Sequence, residues 1–364
     1  MSVSDLPELI SSPGTPSSSS SDLRPPKPPN LNFTDVSSAD DDEAIKNFTD
    51  DELKSFIAAL RNKAKEQDHR LHPSSTRVIR ISQGYVTKLY GNDWIQDLKA
   101  GVDIARGLGI RAPAIERILK NTDGRGAPFE CVQEYVPGTN LVELFPKLDL
   151  QETIRLAFQL RGMLKIMHKK TNDQLGSCHS LKCRSYWLEY EAGLPPASTA
   201  EDIAKVVNFW SNYTPKCAEA KKSFEELKRC CTTGPAALDC PLVFTHHDLA
   251  PRNMIVDPRG DLWLIDWDYA GWYPAYFDRA SMDHFSPYMC GWSIYTQFRW
   301  TIFCSIATES KWERQVDAVH SIKTGSGRYG DNCRSFTIKA GLTPVKLLPN
   351  GEFTNANIEV VILI

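Results

Sequence analysis

The chain has 364 residues, of which 41% are hydrophobic and 24% charged, with a formal net charge of −3 at pH 7. This length and apolar content suit one large domain or two modest domains with a substantial core. The small net charge gives no basis for nucleic acid or an anionic membrane as a partner, and no window has the length and apolarity of a membrane span. Ten cysteines without regular spacing match no zinc template. We therefore expect free or buried thiols in a reducing compartment, the cytoplasm.

The N-terminal segment, residues 1–42, is rich in Ser and Pro and then acidic. It is too polar to bury a core, so the sequence predicts a disordered tail without the basic and apolar regions of a secretory signal. Order is predicted to begin just after it. Thr49 and Glu52 form a capping box, and Phe48 and Leu53 a hydrophobic staple, at the start of a helix.

Residues 43–136 are predicted to form a small N-terminal lobe, in which this helix is followed over 76–136 by strands that alternate with one further helix. Lys88 lies in the apolar run YVTKLY, which is typical of the strand lysine that contacts nucleotide phosphates. A surface lysine on an edge strand is the alternative. The segment QEYVPG would then be the hinge, where backbone groups of Glu134 and Val136 contact adenine. An ordinary strand before a Pro-Gly turn fits the segment equally well.

Residues 137–320 are predicted to form a larger, mostly helical C-terminal lobe. A helical stripe within 150–169 consists of Ile154, Leu156, Leu160, Met163, Leu164 and Met167. Residues 198–230 indicate two more helices, and residues 288–316 one helix rich in aromatic side chains. Helical periodicity stops in the last segment, 321–364. A buried final strand and a faulty or truncated C-terminus both remain open there.

The most informative segment spans residues 244–278. It contains His246-x-Asp248-Leu249-x-x-x-Asn253 and, eighteen positions after Asp248, Asp266. Two apolar runs, separated by Asp-Pro-Arg-Gly, predict a hairpin that carries Asn253 at its start and Asp266 at its end. The joint pattern is much rarer than its parts, which occur by chance as turns or helix starts.

These residue types suit the transfer of a phosphoryl group from ATP. The reaction needs a carboxylate that orients and deprotonates the acceptor hydroxyl, and oxygen ligands that hold Mg²⁺ on the departing phosphates. We assign Asp248 as the base, and Asn253 and Asp266 as the metal ligands. Lys88 would contact the phosphates. A protein kinase is a distant alternative, because no Gly-x-Gly-x-x-Gly precedes Lys88 and no Ala-Pro-Glu follows Asp266.

The residues resemble a known family at this point. HHDLAPRN at 246–253, IDWD at 265–268 and AGWYP at 270–274 are similar to the aminoglycoside phosphotransferase/choline kinase-like superfamily, and in particular to its fungal members. The resemblance covers roughly residues 70–310. It implies an α+β, bilobal protein-kinase-like fold, ATP and Mg²⁺ as cofactors, and a small-molecule hydroxyl as acceptor. It assigns the same three roles to Asp248, Asn253 and Asp266.

Two positions depart from the family pattern. The helix after Lys88 should offer a glutamate to pair with the lysine, but alanine stands there, and Asp97 or Asp103 could substitute. The nucleotide loop at 72–76 contains no glycine, so it would hold phosphate less closely. These departures leave a catalytically weak, kinase-like binding or scaffold protein as the second hypothesis.

The acceptor is not specified by the sequence. Asp278 and Asp283 could face a cationic acceptor, or they could cap and solvate helices. Nearby aromatic side chains could line a pocket for a flatter hydroxylated metabolite, or they could pack in the core. GTP instead of ATP and the oligomeric state also remain open.

Overall fold

The computed structural model shows an α+β protein with a small antiparallel sheet in its N-terminal part and a larger, mostly helical C-terminal part. These parts correspond to the two lobes that the sequence predicts. The structure describes residues 40–67, 78–90, 94–120, 129–185, 187–188, 194, 198–212, 240–285, 290–313 and 315–320. Four predicted features lie outside the described residues: most of the 1–42 tail, the nucleotide loop at 72–76, the second helix before residue 230, and the segment 321–364.

Helix α1 (Asp40–Asn47) is the first described element. Its first three residues, 40–42, fall within the predicted 1–42 tail. The polar composition of the tail does not predict this part of the helix, because tertiary contacts stabilise α1. Ile45 is buried in a cluster against the small-lobe sheet, and the Asp42 carboxylate accepts a hydrogen bond from the Gly84 amide at 3.0 Å.

Helix α2 (Asp50–Gln67) has the predicted start. The Glu52 carboxylate accepts hydrogen bonds from the Thr49 amide and hydroxyl, both at 2.8 Å, and Thr49 Oγ1 accepts one from the Glu52 amide at 3.3 Å. This reciprocal pairing satisfies donors that the first turn leaves open. Phe48 packs beside the buried Leu53. The capping box is confirmed.

The small-lobe sheet consists of β1 (Val78–Arg80), β2 (Tyr85–Tyr90), β3 (Ile115–Lys120) and β4 (Phe129–Glu134). All pairs are antiparallel, in the order β1-β2-β4-β3. Helix α2 covers one face, where Leu53 and Ile57 pack with Val132. Lys88 of β2 lies opposite Cys131 of β4. Because β2 lies between β1 and β4, the alternative of an edge-strand lysine is wrong.

Helix α3 (Ile95–Gly107) connects β2 to β3. It ends in a Schellman motif, in which Gly109 has a left-handed φ of 77°. The Gly109 amide bonds to the Arg106 carbonyl and the Ile110 amide to the Ala105 carbonyl, each at 2.9 Å. The buried side of α3 belongs to the main hydrophobic core, which it shares with the large lobe.

The described helices of the large lobe include α4 (Leu141–Leu144), α5 (Leu150–Met167), α6 (Ala200–Asn212), α7 (Tyr276–His284) and α8 (Ile294–Thr308). Helices α5 and α8 pack against each other along much of their length. The predicted stripe on α5 is buried, except that Ile154 is partly exposed. The stripe therefore forms core, as expected.

Helix α8 is shorter than the predicted helix over 288–316. It begins after Ser293, whose Oγ accepts a hydrogen bond from the Thr296 amide at 3.2 Å. It ends at Glu309, which has a left-handed φ of 59°. The apolar composition continues across Ser293, and glutamate is not a residue type that marks a helix end, so periodicity alone does not locate these caps.

Two small sheets of the large lobe position the loops of interest. One contains β6 (Thr171–Asn172), β7 (Gly176–Ser177), β8 (Leu242–Thr245) and β11 (Gly271–Pro274) in the order β6-β8-β11-β7. The other contains β5 (Thr139–Asn140), β9 (Met254–Val256) and β10 (Leu262–Leu264) in the order β10-β9-β5. Strands β9 and β10 form the predicted hairpin. In the described residues no helix is long and apolar enough to cross a membrane.

Candidate active site

The loop between β8 and β9 contains the predicted base. Asp248 is buried, and its carboxylate accepts a hydrogen bond from Asn253 Nδ2 at 2.7 Å. Asn253 Nδ2 also donates to the Asp248 carbonyl at 2.9 Å. Arg252 Nη2 donates to both carboxylate oxygens, at 2.7 and 2.8 Å. A 3₁₀ turn over Pro251–Asn253 creates this arrangement. The structure therefore brings Asp248 and Asn253 together, with Arg252 as a further partner.

His246 connects this loop to the loop after β10. The ring is fully buried, with Nε2 3.0 Å from the Ile265 carbonyl and Nδ1 accepting from the Asp248 amide at 3.3 Å. Burial lowers the pKa of His246, although Asp248 and Asp278 oppose this shift. A neutral ring with its proton on Nε2 satisfies both contacts. His246 thus sets the distance between the two loops.

His247 fixes the backbone next to the predicted base. It has a left-handed φ of 67°, and its amide donates to Asp278 Oδ1 at 2.8 Å. Its ring lies 2.7 Å from Ser185 Oγ and stacks on Phe277. Burial lowers the pKa of His247 to about 3, so the ring is neutral at physiological pH. A neutral, packed ring in this position serves structure rather than proton transfer.

Asp278 and Asp283 have partners of their own. Asp278 is fully buried, and its Oδ2 lies 2.9 Å from His168 Nε2, in addition to the bond that it accepts from the His247 amide. Asp283 pairs with Arg279 at 2.8 Å, one turn away on α7. The suggestion that these acids face a cationic acceptor is therefore replaced by a structural role for both.

Lys88 contacts the loop after β10. Its Nζ lies 2.5 Å from Asp266 Oδ1, although the two residues are 178 positions apart in the chain, and 3.1 Å from Asp268 Oδ2. Tyr90, two positions further along β2, donates to Asp268 Oδ1 at 3.0 Å. This contact brings the two lobes together at the predicted phosphate and metal residues.

The expected substitutes for the missing helix glutamate are not partners of Lys88. Asp97 accepts hydrogen bonds from the amides of His179 and Ser180, at 2.9 and 2.7 Å. Asp103 pairs with Lys99 at 2.6 Å on the exposed side of α3. Asp97 therefore attaches α3 to the large lobe, and Asp103 forms an ion pair on the surface of α3. The carboxylates that pair with Lys88 come from the large lobe.

The charges of Lys88, Asp266 and Asp268 influence one another's pKa values. Burial alone would lower the pKa of Lys88, but the charges of Asp268 and Asp266 raise it above its usual value. Burial would raise the pKa of Asp266, yet the charge and hydrogen bond of Lys88 lower it. Burial and the neighbouring Asp266 raise the pKa of Asp268. Lys88 and Asp266 are therefore charged, as an ion-binding site requires.

The Asp266 backbone is held in an unusual conformation. Its φ and ψ are both 64°, in the left-handed region that few residues other than glycine, asparagine and aspartate adopt. The Ile265 amide before it donates to the Asn253 carbonyl at 2.9 Å, and Trp267 after it stacks on Phe244. Such strain concentrates at functional sites. The hairpin therefore brings Asn253 and Asp266 to one end, as predicted.

The donor atoms suit a hard cation. Because Asn253 Nδ2 is used by Asp248, the Asn253 atom left for a cation is the amide oxygen, and Asp266 offers its carboxylate. Mg²⁺ prefers such oxygen ligands and takes only one or two from the protein when phosphates and water supply the rest. No group of three or more His, Cys, Asp or Glu side chains within the described ranges could hold a metal. Two oxygen donors of this kind would suffice for a cation only where other ligands complete its coordination.

The predicted hinge residues lie at the end of β4. The Glu134 carboxylate accepts from the Ala114 amide at 3.0 Å and from Arg106 at 3.3 Å. Val136 is buried, and within the described part of the chain no residue bonds to its backbone amide. Lys88 lies on the neighbouring strand β2, so the hinge segment and the lysine share one sheet.

Two residues of the site received no role from the sequence. Asp268 is the second acid of the loop, and the signal for it is an acidic residue two positions after Asp266. Arg252 precedes Asn253 and lies four positions after Asp248, and a basic residue at that spacing on a tight turn can reach the carboxylate. Both contacts depend on side-chain direction, which the motif spacing does not specify.

Comparison with known proteins identifies the family. A model of the phosphotransferase enzyme family matches residues 93–286, which is more than half of the chain. The matched region includes Asp248, Asn253 and Asp266. No curated protein gives a significant match.

Several solved structures are similar to the chain at low identity. The GDP complex of aminoglycoside 2'-phosphotransferase-IIIa is 14% identical with a TM-score of 0.43, over 72% of this chain and 86% of that one. Choline kinase LicA from Streptococcus pneumoniae is 14% identical with a TM-score of 0.36, over 78% and 97%. A thermostable mutant of aminoglycoside phosphotransferase APH(4)-Ia, in a ternary complex with ADP and hygromycin B, is 12% identical with a TM-score of 0.39, over 78% and 99%.

The family of this chain is assigned from the family model alone, because these structural similarities are distant. The family resemblance and the bilobal, kinase-like α+β fold expected from the sequence are both confirmed. The chain belongs to the phosphotransferase enzyme family.

Proposed function

We propose that the protein is an ATP- and Mg²⁺-dependent phosphotransferase that transfers the γ-phosphoryl group to a hydroxyl of a small molecule. One observation carries this proposal. Lys88 of the small lobe and Asp266 of the large lobe lie 2.5 Å apart, and the Ile265 amide next to Asp266 bonds to the Asn253 carbonyl. A lysine, a carboxylate and an amide at one place are the groups that phosphoryl transfer requires.

Each residue has a distinct role in the proposed reaction. Asp248 orients the acceptor hydroxyl and takes its proton as the acceptor oxygen bonds to the γ-phosphorus. The bond from the γ-phosphorus to the bridging oxygen then breaks, and ADP leaves with that electron pair. Lys88 neutralises charge on the phosphates, which is effective in a partly buried site of low dielectric.

Asn253 and Asp266 would hold Mg²⁺, through the amide oxygen and the carboxylate. When bound, Mg²⁺ neutralises charge on the β- and γ-phosphate oxygens. Asp266 already holds a cation, the ammonium of Lys88, in the structure. Asp268 is the second carboxylate of Lys88, so the lysine keeps a partner when Asp266 binds metal.

The nucleotide base would lie against the hinge. We assign the Glu134 backbone and the Val136 amide to adenine, because the Glu134 side chain is occupied by Ala114 and Arg106. ATP is the proposed donor, and GTP is to be compared with it in the same assay. The net charge of −3 supports a small-molecule acceptor rather than nucleic acid.

The second hypothesis is a binding protein of the same fold with little or no turnover. The contact of Arg252 with both oxygens of Asp248 favours it, because the base is covered in this structure. The intact set of Asp248, Asn253, Asp266 and Lys88 favours the enzyme. The rate of phosphoryl transfer separates the two hypotheses.

The Asp248→Asn variant tests the proposed function. We expect it to lower the rate of Mg²⁺-dependent ADP formation from ATP by roughly 10²- to 10⁴-fold, as loss of a general base does. Nucleotide binding, followed by thermal stabilisation, should be retained because Asp248 contacts the acceptor and not the nucleotide. Asp283→Asn is the matched control in the same lobe and should leave the rate unchanged. An unchanged rate in Asp248→Asn would refute its role as base, and a native chain without turnover would establish the binding protein.

A further inference from the structure

The Arg252 guanidinium lies at the mouth of the proposed site. Its side chain is 51% exposed, whereas that of its partner Asp248 is 9% exposed. Among the described residues, only Nη2 of the guanidinium is engaged, because that one nitrogen donates to both oxygens of Asp248. The N–H groups of Nη1 and Nε therefore remain for a ligand that arrives from solvent.

The backbone of Arg252 is fixed on both sides. Asn140 Nδ2 donates to the Arg252 carbonyl at 2.6 Å, and the Asn253 amide closes the 3₁₀ turn on the Ala250 carbonyl at 2.9 Å. The side chain can rotate, but its charge stays close to Asp248. Any acceptor whose hydroxyl reaches Asp248 competes with Arg252 for the carboxylate oxygens, and it meets a positive charge as it does so.

The 3₁₀ turn that carries Arg252 packs against α4, which in turn contacts the segment before α8. Trp292, in the same segment, donates to the Val142 carbonyl at 3.3 Å on α4, which packs against the 3₁₀ turn. Trp292, Val142 and the 3₁₀ turn all belong to the large lobe, whereas Lys88 belongs to the small lobe.

The nearby acids that could receive a cationic acceptor are already paired. Asp278 is fully buried against His168 and the His247 amide, and Asp283 pairs with Arg279. A cationic alcohol would therefore approach Arg252 without compensation from these two carboxylates. An anionic alcohol would instead form a charge-assisted hydrogen bond with the free N–H groups and draw the guanidinium away from Asp248.

From these contacts we infer that Arg252 selects the acceptor by charge, and that the site takes an alcohol with an anionic group, a carboxylate or a phosphate, near the reacting hydroxyl. This inference rests on the proposed function and specifies its substrate class. Arg252 is then a specificity-determining residue that frees the Asp248 oxygen atoms only when its ligand is present.

Three matched three-carbon alcohols test the inference with the full chain and Mg²⁺-ATP. Glycerate is anionic, glycerol is neutral and serinol is cationic at pH 7. We expect kcat/KM for ADP formation above the water background to be at least tenfold higher for glycerate than for serinol, with glycerol between them. Arg252→Lys should keep this order, Arg252→Gln should flatten it, and Arg252→Glu should reverse it.

The outcomes are distinct from those that test the proposed function. Serinol equal to or better than glycerate in the native chain would overturn the inference, and so would an unchanged order in both Arg252→Gln and Arg252→Glu. Equal failure of all three alcohols, with Mg²⁺-ATP still stabilising the chain, would also overturn it. Failure of Mg²⁺-ATP to bind the native chain would instead overturn the proposed function.

Discussion

Lys88 lies between two carboxylates that have different surroundings. Asp266 is the more exposed of the two and is the proposed metal ligand, while Asp268 is also held by the Tyr90 hydroxyl. If Asp266 binds Mg²⁺ as proposed, it would give up its contact with Lys88. Asp268 would then orient the lysine, which is the task that a helix acid would otherwise perform.

Asp268→Asn should weaken nucleotide binding. The substitution keeps the volume but removes the negative charge that orients Lys88, so we expect the Kd for Mg²⁺-ATP to rise about tenfold, in line with the loss of one charged hydrogen bond. The measurement is a nucleotide titration by calorimetry. Because the pair is partly buried, the effect should exceed that of a surface ion pair.

Asp103→Asn on α3 is the matched control for Asp268→Asn. Asp103 was a sequence-based candidate for the partner of Lys88, but it pairs with Lys99 on the surface. The Kd should change less than twofold, because exposed pairs of this spacing contribute little. A larger effect for Asp103→Asn than for Asp268→Asn would show that Lys88 takes its partner from the helix.

At the level of elements, α3 reaches the large lobe through a close contact. A Cβ added to Gly101 would lie 3.0 Å from Ala270 Cβ and 3.7 Å from the Trp267 carbonyl, next to the loop that carries Asp266. Asp97, on the same helix, also binds the large lobe through the His179 and Ser180 amides. Helix α3 therefore supports the loop that carries Asp266 by packing.

Gly101→Val should separate α3 from this loop. The added side chain has no space, so we expect the free energy of unfolding to fall by about 1–3 kcal/mol, as overpacking does, and nucleotide affinity to fall with it. Gly107→Val is the control on the same helix, since nothing lies within 4 Å of a Cβ there. That variant should change stability by only a few tenths of a kcal/mol, roughly the difference in helix propensity. Chemical denaturation measures both. Equal losses in the two variants would contradict the packing role of Gly101.

The elements that could be predicted are those encoded locally. The β9–β10 hairpin and the α2 capping box follow from turn and cap residues within a few positions of each other. The hairpin in turn predicted that Asn253 and Asp266 would lie at one end. The caps of α8 at Ser293 and Glu309 could not be located, because apolar residues continue across Ser293 and a left-handed glutamate is not a residue type that marks a helix end.

The contacts that sequence reasoning missed are tertiary. The partner of Lys88 lies in the other lobe, and the direction of the Arg252 side chain depends on the 3₁₀ turn around it. Asp278 illustrates the same limit, because its position after the motif suggested an acceptor contact, whereas burial assigns it to His168 and His247. Spacing along the chain identifies the reactive groups but not the residues that orient them.

At the scale of the whole molecule, the site is divided between the lobes. Lys88 and the hinge belong to the four-stranded sheet, whereas Asp248, Asn253 and Asp266 belong to two loops of the large lobe that His246 joins. A nucleotide that bridges the lobes would therefore stabilise the whole protein, and it would do so only when Mg²⁺ connects its phosphates to Asp266.

The most direct test is a thermal melt of the native chain and of Asp266→Asn, with ATP titrated in the presence and absence of Mg²⁺. A ligand at one hundred times its Kd adds about 2.7 kcal/mol to the free energy of unfolding. We expect a Mg²⁺-dependent rise in Tm for the native chain that Asp266→Asn loses. No rise at millimolar nucleotide, or an equal rise in the variant, would contradict the assignment of this site to nucleotide and metal.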